Sequence, residues 1–295
     1  MSYSNTINLA EQFVPLLDEK YKAESKTSML DTPDQLVREG RQADTVYLPS
    51  IVLDGLADYD RNAGFTDGSA TISWESHTFS QDRGRQFQID RMDEQETIEV
   101  TFGAVTGQFQ RVHVVPEIDA YRFSQMYSAA GNTVDEALDA SDVLSAIDTA
   151  HETLDNAEVP EQGRMIYVKP GIWKLIKQSD ALSREFNVQE EDEEISRNIW
   201  GLDGYPITKV PTGRFNTSVT IASDGGFSLG GNVINFMIVH EDAVYPIAKH
   251  QQPRIFSPDE NQSADAWKFD YRIYHDIFTP SNKTDGIYVS YDATA

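Results

Sequence analysis

The chain has 295 residues, enough for one large domain or two modest ones, and its 39 % hydrophobic and 11 % aromatic content argue against disorder. It contains no cysteine, which removes thiolate nucleophiles, cysteine-based zinc sites and disulfides, and fits maturation in a reducing compartment. Its 48 acidic against 24 basic residues leave a net charge of −24, a surface that repels polyphosphate and disfavours a sequence-independent grip on nucleic acid. The acids are spread along the chain. That argues against an acidic tail and leaves two explanations, a halophilic surface or a wall that must not stick to nucleic acid.

The N-terminus, Met1 to Asn5, has no basic or apolar leader pattern, and the longest apolar run, Val233 to Val239, is broken by Asn235 and far too short to span a membrane. A soluble protein assembling in a cytoplasm is expected. Residues 8–24 place Leu9, Phe13, Leu16, Leu17 and Tyr21 at amphipathic-helix spacing, weakened by Pro15. Residues 1–43 read as an arm, which must dock to be ordered.

Strands are expected at Val46–Leu53, Ala70–Phe79 and Arg85–Met92, with a Gly- and Asp-rich turn region over 54–68. Strands of about 10–12 residues would reach roughly 35–40 Å, and an isolated hairpin of that length is marginal in water. The stretch Gln81 to Thr97 has little apolar surface of its own: Gly84 sits between Arg83 and Arg85, Phe87 and Ile89 alternate with polar residues, and Asp90, Asp93, Glu94 and Glu96 crowd behind. Its partner surface is expected on another copy of the chain.

A helix over 98–112, a break at Pro116 and a restart over 117–130 would together make a long bent helix. Ser141 to Asn156 is the cleanest helix, with Ser141 as N-cap and Val143, Ile147, Ala150 and Leu154 as one apolar stripe. Met165–Val168 reads as a buried strand and Pro170–Lys177 as a helix starting at proline. Residues 190–194, all acidic, read as a solvated loop. A strand pair is expected around Gly204, hairpin glycines at Gly225–Gly226 and Gly230–Gly231, and a core strand at Val233–Val239. The aromatic-rich C-terminal third supplies strands at Trp267–Tyr271 and Ile287–Tyr291, expected to pair with the long helix.

No constellation for chemistry emerges. The six histidines lack the i, i+4 spacing of a metal pair. His275 and Asp276, adjacent in a strand-like stretch, should point to opposite faces, and a structural role for His275 outweighs a catalytic one. The glycine pairs lack the lysine and context of a phosphate loop, and no Gly-x-Ser-x-Gly elbow occurs. The expectation is a non-enzymatic protein without cofactor or metal.

Several segments, in order, resemble the major capsid proteins of tailed bacteriophages. They are Ala10–Glu11 with Leu17–Lys22, Gln81–Asp93, Val115–Arg122, Glu158–Pro160, Tyr167–Pro170, Gly204–Pro211, and Tyr271–Asp276 with Asn282–Lys283. The resemblance implies an α+β chain of the Hong Kong 97-type capsid fold, with an N-arm (1–43), an extended β-hairpin loop with its flanking strands (44–97), a peripheral domain with a long spine helix (98–130), an axial α/β domain (131–240) and a C-terminal return into the peripheral domain (241–295).

It implies self-assembly into hexamers and pentamers of an icosahedral phage head enclosing double-stranded DNA without sequence-specific binding. The implied partners are scaffolding and portal proteins, with a decoration protein as a further candidate; no membrane is involved. The location would be the virion capsid, assembled in the host cytoplasm. Residues 46–97 contain no lysine, so the lysine cross-link of some members is not expected. The arm pattern begins within about ten residues of Met1, which points to a separate scaffolding protein.

On this reading Trp74, Phe79, Phe87 and Ile89 are inter-subunit apolar contacts, and Arg83 and Arg85 pair with acids on a neighbour, unless the two arginines hold their own turn. Two alternatives stand beside it: a shell protein of a bacterial nanocompartment with the same fold, and, more remotely, an acidic hydrolase using carboxylate pairs.

Overall fold

A computed structural model of the chain describes residues 25–31, 38–39, 44–59, 61, 64–92, 106–179 and 201–294. The helix expected over 8–24, the first part of that over 98–112 and the acidic run at 190–194 lie outside the described residues.

In chain order the first strands are β1 (Arg38–Glu39), β2 (Thr45–Leu53), β3 (Ala70–Thr78) and β4 (Gln81–Asp90). A long helix ends in α1 (Val115–Ala129), followed by β5 (Asn132–Asp135), α2 (Val143–Asn156), β6 (Arg164–Val168) and α3 (Pro170–Gln178). The remaining strands are β7 (Gly201–Leu202), β8 (Tyr205–Lys209), β9 (Asn216–Ile221), β10 (Phe227–His240), β11 (Tyr245–Phe256), β12 (Ala266–Phe278) and β13 (Ile287–Asp292). They make three sheets.

β2 and β3 form an antiparallel hairpin, in register from Thr45 opposite Thr78 to Leu53 opposite Ala70, with β1 on its edge. Nine residues at about 3.3 Å each give an arm of about 30 Å. Only Phe79 and Ser80 separate β4 from β3, yet β4 joins another sheet. Along its whole length it pairs antiparallel with β12, Asp90 opposite Ala266 and Gln81 opposite His275, and β12 pairs in turn with β11. The strand that appeared to lack a surface of its own thus finds its hydrogen-bonding edge on the C-terminal third of the same chain. Tyr245–Phe256, which had no sequence expectation, supplies the far edge strand.

The long helix does not break at Pro116. Thr106–Phe109 is helical, Gln110–Val114 is a π-turn, and α1 continues from Val115, whose N–H donates to the carbonyl of Gln110 five residues back. In a regular α-turn the Pro116 ring would press on the carbonyl four residues earlier and leave it without a donor. The wider turn just before the proline absorbs that conflict, and the helix continues through it. α1 is buried on several sides: Val115 and Ile118 pack on Phe269, Tyr271 and Ile273 of β12, while Tyr121, Phe123 and Met126 face the large sheet.

That sheet runs in the order β5-β13-β10-β6-β8-β7, with β9 on the first half of β10. β5 runs parallel to β13, and β8 parallel to β6. One face carries α1; the other carries α2 and α3, packed with Ile166, Phe236, Ile238 and Tyr288. Val143, Ile147, Ala150 and Leu154 are all fully buried, as the helical spacing predicts. The cap differs. The Asp139 carboxylate accepts from the amides of Ser141 (2.7 Å) and Asp142 (3.3 Å), and the Ser141 hydroxyl also donates to it at 2.6 Å. Asp139 therefore closes the turn that leads into the helix, whereas Asp142, not Ser141, stands at the N-cap and, among the described residues, no side chain caps the first-turn N–H groups. The donors around Asp139 hold its carboxyl below the usual carboxylate range.

The β9–β10 turn is Asp224–Gly226, with Gly225 and Gly226 at positive φ. Gly230 and Gly231 lie instead inside β10, where the register against β9 shifts and Gly231 takes φ 64°. They make a bulge, a conformation without steric penalty only for glycine.

Candidate functional site

Among the described residues no group of three or more His, Asp or Glu side chains is placed to hold a metal ion. Asp276 is saturated as an acceptor: Ser80 donates from N–H (2.8 Å) and Oγ (2.9 Å), Tyr121 Oη donates at 2.7 Å, and the Ile277 N–H at 2.8 Å. His275 packs edge-on against the Tyr121 ring at 5.7 Å. Burial, with smaller contributions from Arg122 and Arg83, pushes its imidazole down to about 3. This is a neutral core histidine beside a carboxylate already occupied by four donors.

Among the described residues, the distal β2–β3 hairpin is where large apolar side chains are left exposed together. Its base is anchored: Val46 and Leu48 are buried with Phe79 and Phe278, and Glu75 accepts from Ser281 N–H (3.2 Å) and Oγ (2.6 Å). Exposure then rises along the strands, with every residue of β3 from Ala70 to Trp74 exposed. The loop is closed by Asp54, which accepts from Ser69 N–H at 2.7 Å and Oγ at 2.8 Å. At the tip Leu56 is fully exposed, Phe65 is 88 % exposed and Ile72 63 %. Tyr59 and Phe65 touch each other edge to face at 4.9 Å.

The six residues singled out in the sequence divide into two groups. Trp74, 46 % exposed, lies on the bare hairpin. Phe79 is buried, with ring contacts to Tyr274 (4.9 Å) and Phe278 (5.3 Å). Phe87 meets Phe109 at 4.9 Å, and Ile89 joins the same cluster under the long helix. Arg83 forms a two-pronged ion pair with Glu117 (Nε to Oε1 2.7 Å, Nη2 to Oε2 3.3 Å) and donates from Nη1 to the carbonyl of Ala222 at 2.9 Å. Arg85 donates to the carbonyl of Asp224 at 2.9 Å. The two arginines tie β4 to α1 and to the β9–β10 turn, elements far from their own turn in sequence. Between these elements lies a cavity of about 380 Å³, lined by Arg85, Phe87, Phe109, His113 and Gly225 among others.

A second anchor was not legible in the sequence. Asp119 of α1 is fully buried and accepts from Ser25 Oγ (2.8 Å), Lys26 N–H (3.0 Å), Thr27 Oγ1 (2.8 Å) and Arg214 Nη1 (3.2 Å). Arg122 adds Thr27 Oγ1 (3.0 Å) and Asp31 (2.8 Å). Residues 25–31 therefore dock on their own chain. A single aspartate on a helix of an acidic chain carries no local signal of such a role.

No protein-family model and no curated protein matches the sequence. Solved structures do. The chain is similar to the capsid of the cyanophage P-SCSP1u (TM-score 0.67, 14 % identity, 90 % of this chain and 86 % of that one). It is also similar to the mature capsid of bacteriophage PhiM1 (TM-score 0.63, 11 % identity, 86 % and 84 %). A virus-like particle from Pyrococcus furiosus matches with TM-score 0.56 and 11 % identity over 96 % of this chain and 99 % of that one. At such identities the likeness speaks to architecture, and it spans nearly the whole molecule: the chain has the Hong Kong 97-type fold of capsid-shell subunits.

Proposed function

We propose that this chain is a major capsid protein, many copies of which form the hexamers and pentamers of an icosahedral phage head around double-stranded DNA. The observation that carries the proposal is the bare hairpin. A chain of this fold that leaves Leu56, Phe65 and Ile72 uncovered at the end of an arm of about 30 Å gains about 1.5–3 kcal/mol for each large apolar side chain a neighbour buries. Several modest contacts of this kind per subunit sum to a stable shell while each stays weak enough to correct errors. Residues 46–97 hold no lysine through which this loop could cross-link, and the net charge of −24 suits a wall that does not adhere to its contents.

Within this reading Trp74 is a direct contact with a neighbouring subunit. Phe79, Phe87, Ile89 and Arg83 set the base from which the hairpin projects. Arg85, exposed and with one N–H used, has donors left for an acid on the neighbour. Residues 25–27, within the arm proposed over 1–43, are anchored on Asp119. Scaffolding, portal and decoration proteins are the partners such a shell calls for, and the virion is its location.

The coverage of the Pyrococcus particle subunit supports a second reading, a shell of the same fold around a different cargo. Electron microscopy of the expressed protein, with nucleic-acid content measured on purified particles, tests both. Closed shells are expected. A monodisperse monomer or dimer overturns the proposal, and particles filled with protein favour the second reading.

A further inference from the structure

α2 and α3 sit on the same face of the seven-stranded sheet and share one apolar cluster. Their outward faces carry opposite charge. α2 exposes Asp148, Glu152 and Asp155 at i, i+4 and i+7, contains no lysine or arginine, and is followed by exposed Glu158 and Glu161. Its one histidine, His151, is held below the usual range by burial and by Arg164. Among these acids Asp155 is engaged, with Arg164 at 2.6 Å. α3 contains Lys174 and Lys177 and no acid; Lys169 precedes it, within the field of Asp292. Lys209 of β8 joins them. The ammonium groups of Lys177 and Lys209 lie 5.9 and 5.2 Å from the centroid of the Trp173 ring. Lys174, Lys177 and Lys209 form no ion pair among the described residues. The ring fixes where two of these charges sit, and no carboxylate among the described residues pairs with them, in a chain with twice as many acids as bases.

This asymmetry restricts how copies meet. A two-fold contact setting α2 on α2 places acid against acid; contacts that cross α2 with α3 pair the charges, and of these the head-to-tail one is the one that builds the rings of the shell reading. A head-to-tail contact places the lysines of one copy on the carboxylates of the next, and when its rotation closes it makes a ring. Nucleic acid is the less suitable partner. Trp173 is 7 % exposed and covered by the two lysines, so no ring is offered for base stacking, and the acids of α2 on the same layer repel phosphate.

We propose that the α3 face (Lys174, Lys177, Lys209) of one copy docks on the α2 face (Asp148, Glu152) of a second copy, head to tail. The proposal rests on the shell reading above and adds the address of one contact between copies.

The test uses the full chain in three variants: K174E/K177E/K209E, D148K/E152K, and all five changes together. Each one-sided variant is expected to keep the wild-type circular dichroism and melting while losing about tenfold or more of assembled mass at equal concentration, because like charges then face each other. The five-fold variant, which swaps the signs, is expected to regain assembly. If charge reversal unfolds the chain, K174Q/K177Q/K209Q adds no repulsion and should still lower assembly. Wild-type yield from the lysine variants overturns the proposal, as does a folded five-fold variant that stays unassembled. Normal particles with reduced nucleic acid overturn it in favour of phosphate contacts. A wild-type chain that never assembles overturns the shell reading itself.

Discussion

Replacing Arg83 by alanine should destabilise the subunit, not merely its contacts with others. Arg83 and Glu117 side chains are 22 % and 15 % exposed, so their pair lies mostly outside bulk screening. Removing the guanidinium strands a largely buried carboxylate and frees the Ala222 carbonyl. Breaking a buried pair costs about 3–5 kcal/mol; discounted for the remaining exposure, about 2–4 kcal/mol is expected. Arg85 is exposed and makes one neutral-acceptor bond to Asp224, so Arg85→Ala should cost about 1 kcal/mol or less. Urea unfolding of the dissociated chain, followed by tryptophan fluorescence, measures both. A double-mutant cycle of Arg83→Ala with Glu117→Ala should return a coupling of about 1–3 kcal/mol, and Arg83→Lys should recover only part of it because ammonium lacks the two-pronged geometry. Equal, sub-kilocalorie losses for the two arginines with no coupling to Glu117 would refute the account of Arg83 as an internal tie.

The hairpin tip should behave in the opposite way: Leu56→Ser with Phe65→Ser should leave unfolding within about 0.5 kcal/mol of wild type yet strongly reduce particle yield in sedimentation. Asp119→Ala leaves three donor side chains and one amide in the interior unanswered, and should cost about 3–5 kcal/mol and expose the chain near residues 25–31 to limited proteolysis. Stability should also depend on pH through His275. The unfolded imidazole takes up a proton near pH 6.5, whereas the folded one resists down to about 3. Its contribution is therefore unchanged above pH 6.5 and is lost as pH falls below it, by up to about 1.4 kcal/mol per pH unit. His275→Leu should flatten that slope between pH 6.5 and 5 in denaturant titrations, ahead of the range where the lowered carboxyls of Asp54, Glu75 and Asp139 begin to protonate.

Much of the fold was legible because it is written in short-range periodicity. The stripe Val143, Ile147, Ala150 and Leu154 specifies a helix and its buried face, and the proline opening Pro170–Gln178 and the Asp203–Gly204 turn mark boundaries through their own backbone preferences. That the β2–β3 hairpin could not stand alone was legible too, since two long strands about a Gly- and Asp-rich turn form no core by themselves; which of its side chains stay exposed was not. What local pattern misses is pairing across distance. Arg83 and Arg85 look like turn residues until the fold brings Glu117 and the carbonyls of Ala222 and Asp224 beside them. Asp119 looks like a solvated helix acid until residues 25–27 and Arg214 close over it. Pro116 reads as a stop because its clash is local, whereas the π-turn that relieves it is held in place by packing on β12.

By itself, then, the sequence determined most of the helices and strands, the anionic composition and a β-hairpin unable to stand alone, because composition and periodicity act within one or two turns of chain. The tertiary structure decided that the strand from Gln81 belongs to the C-terminal sheet, that two arginines tie three elements together, and that the acidic and basic helices share one layer. These depend on contacts between residues separated by tens to nearly two hundred positions, and only the closed chain brings such residues within hydrogen-bonding distance.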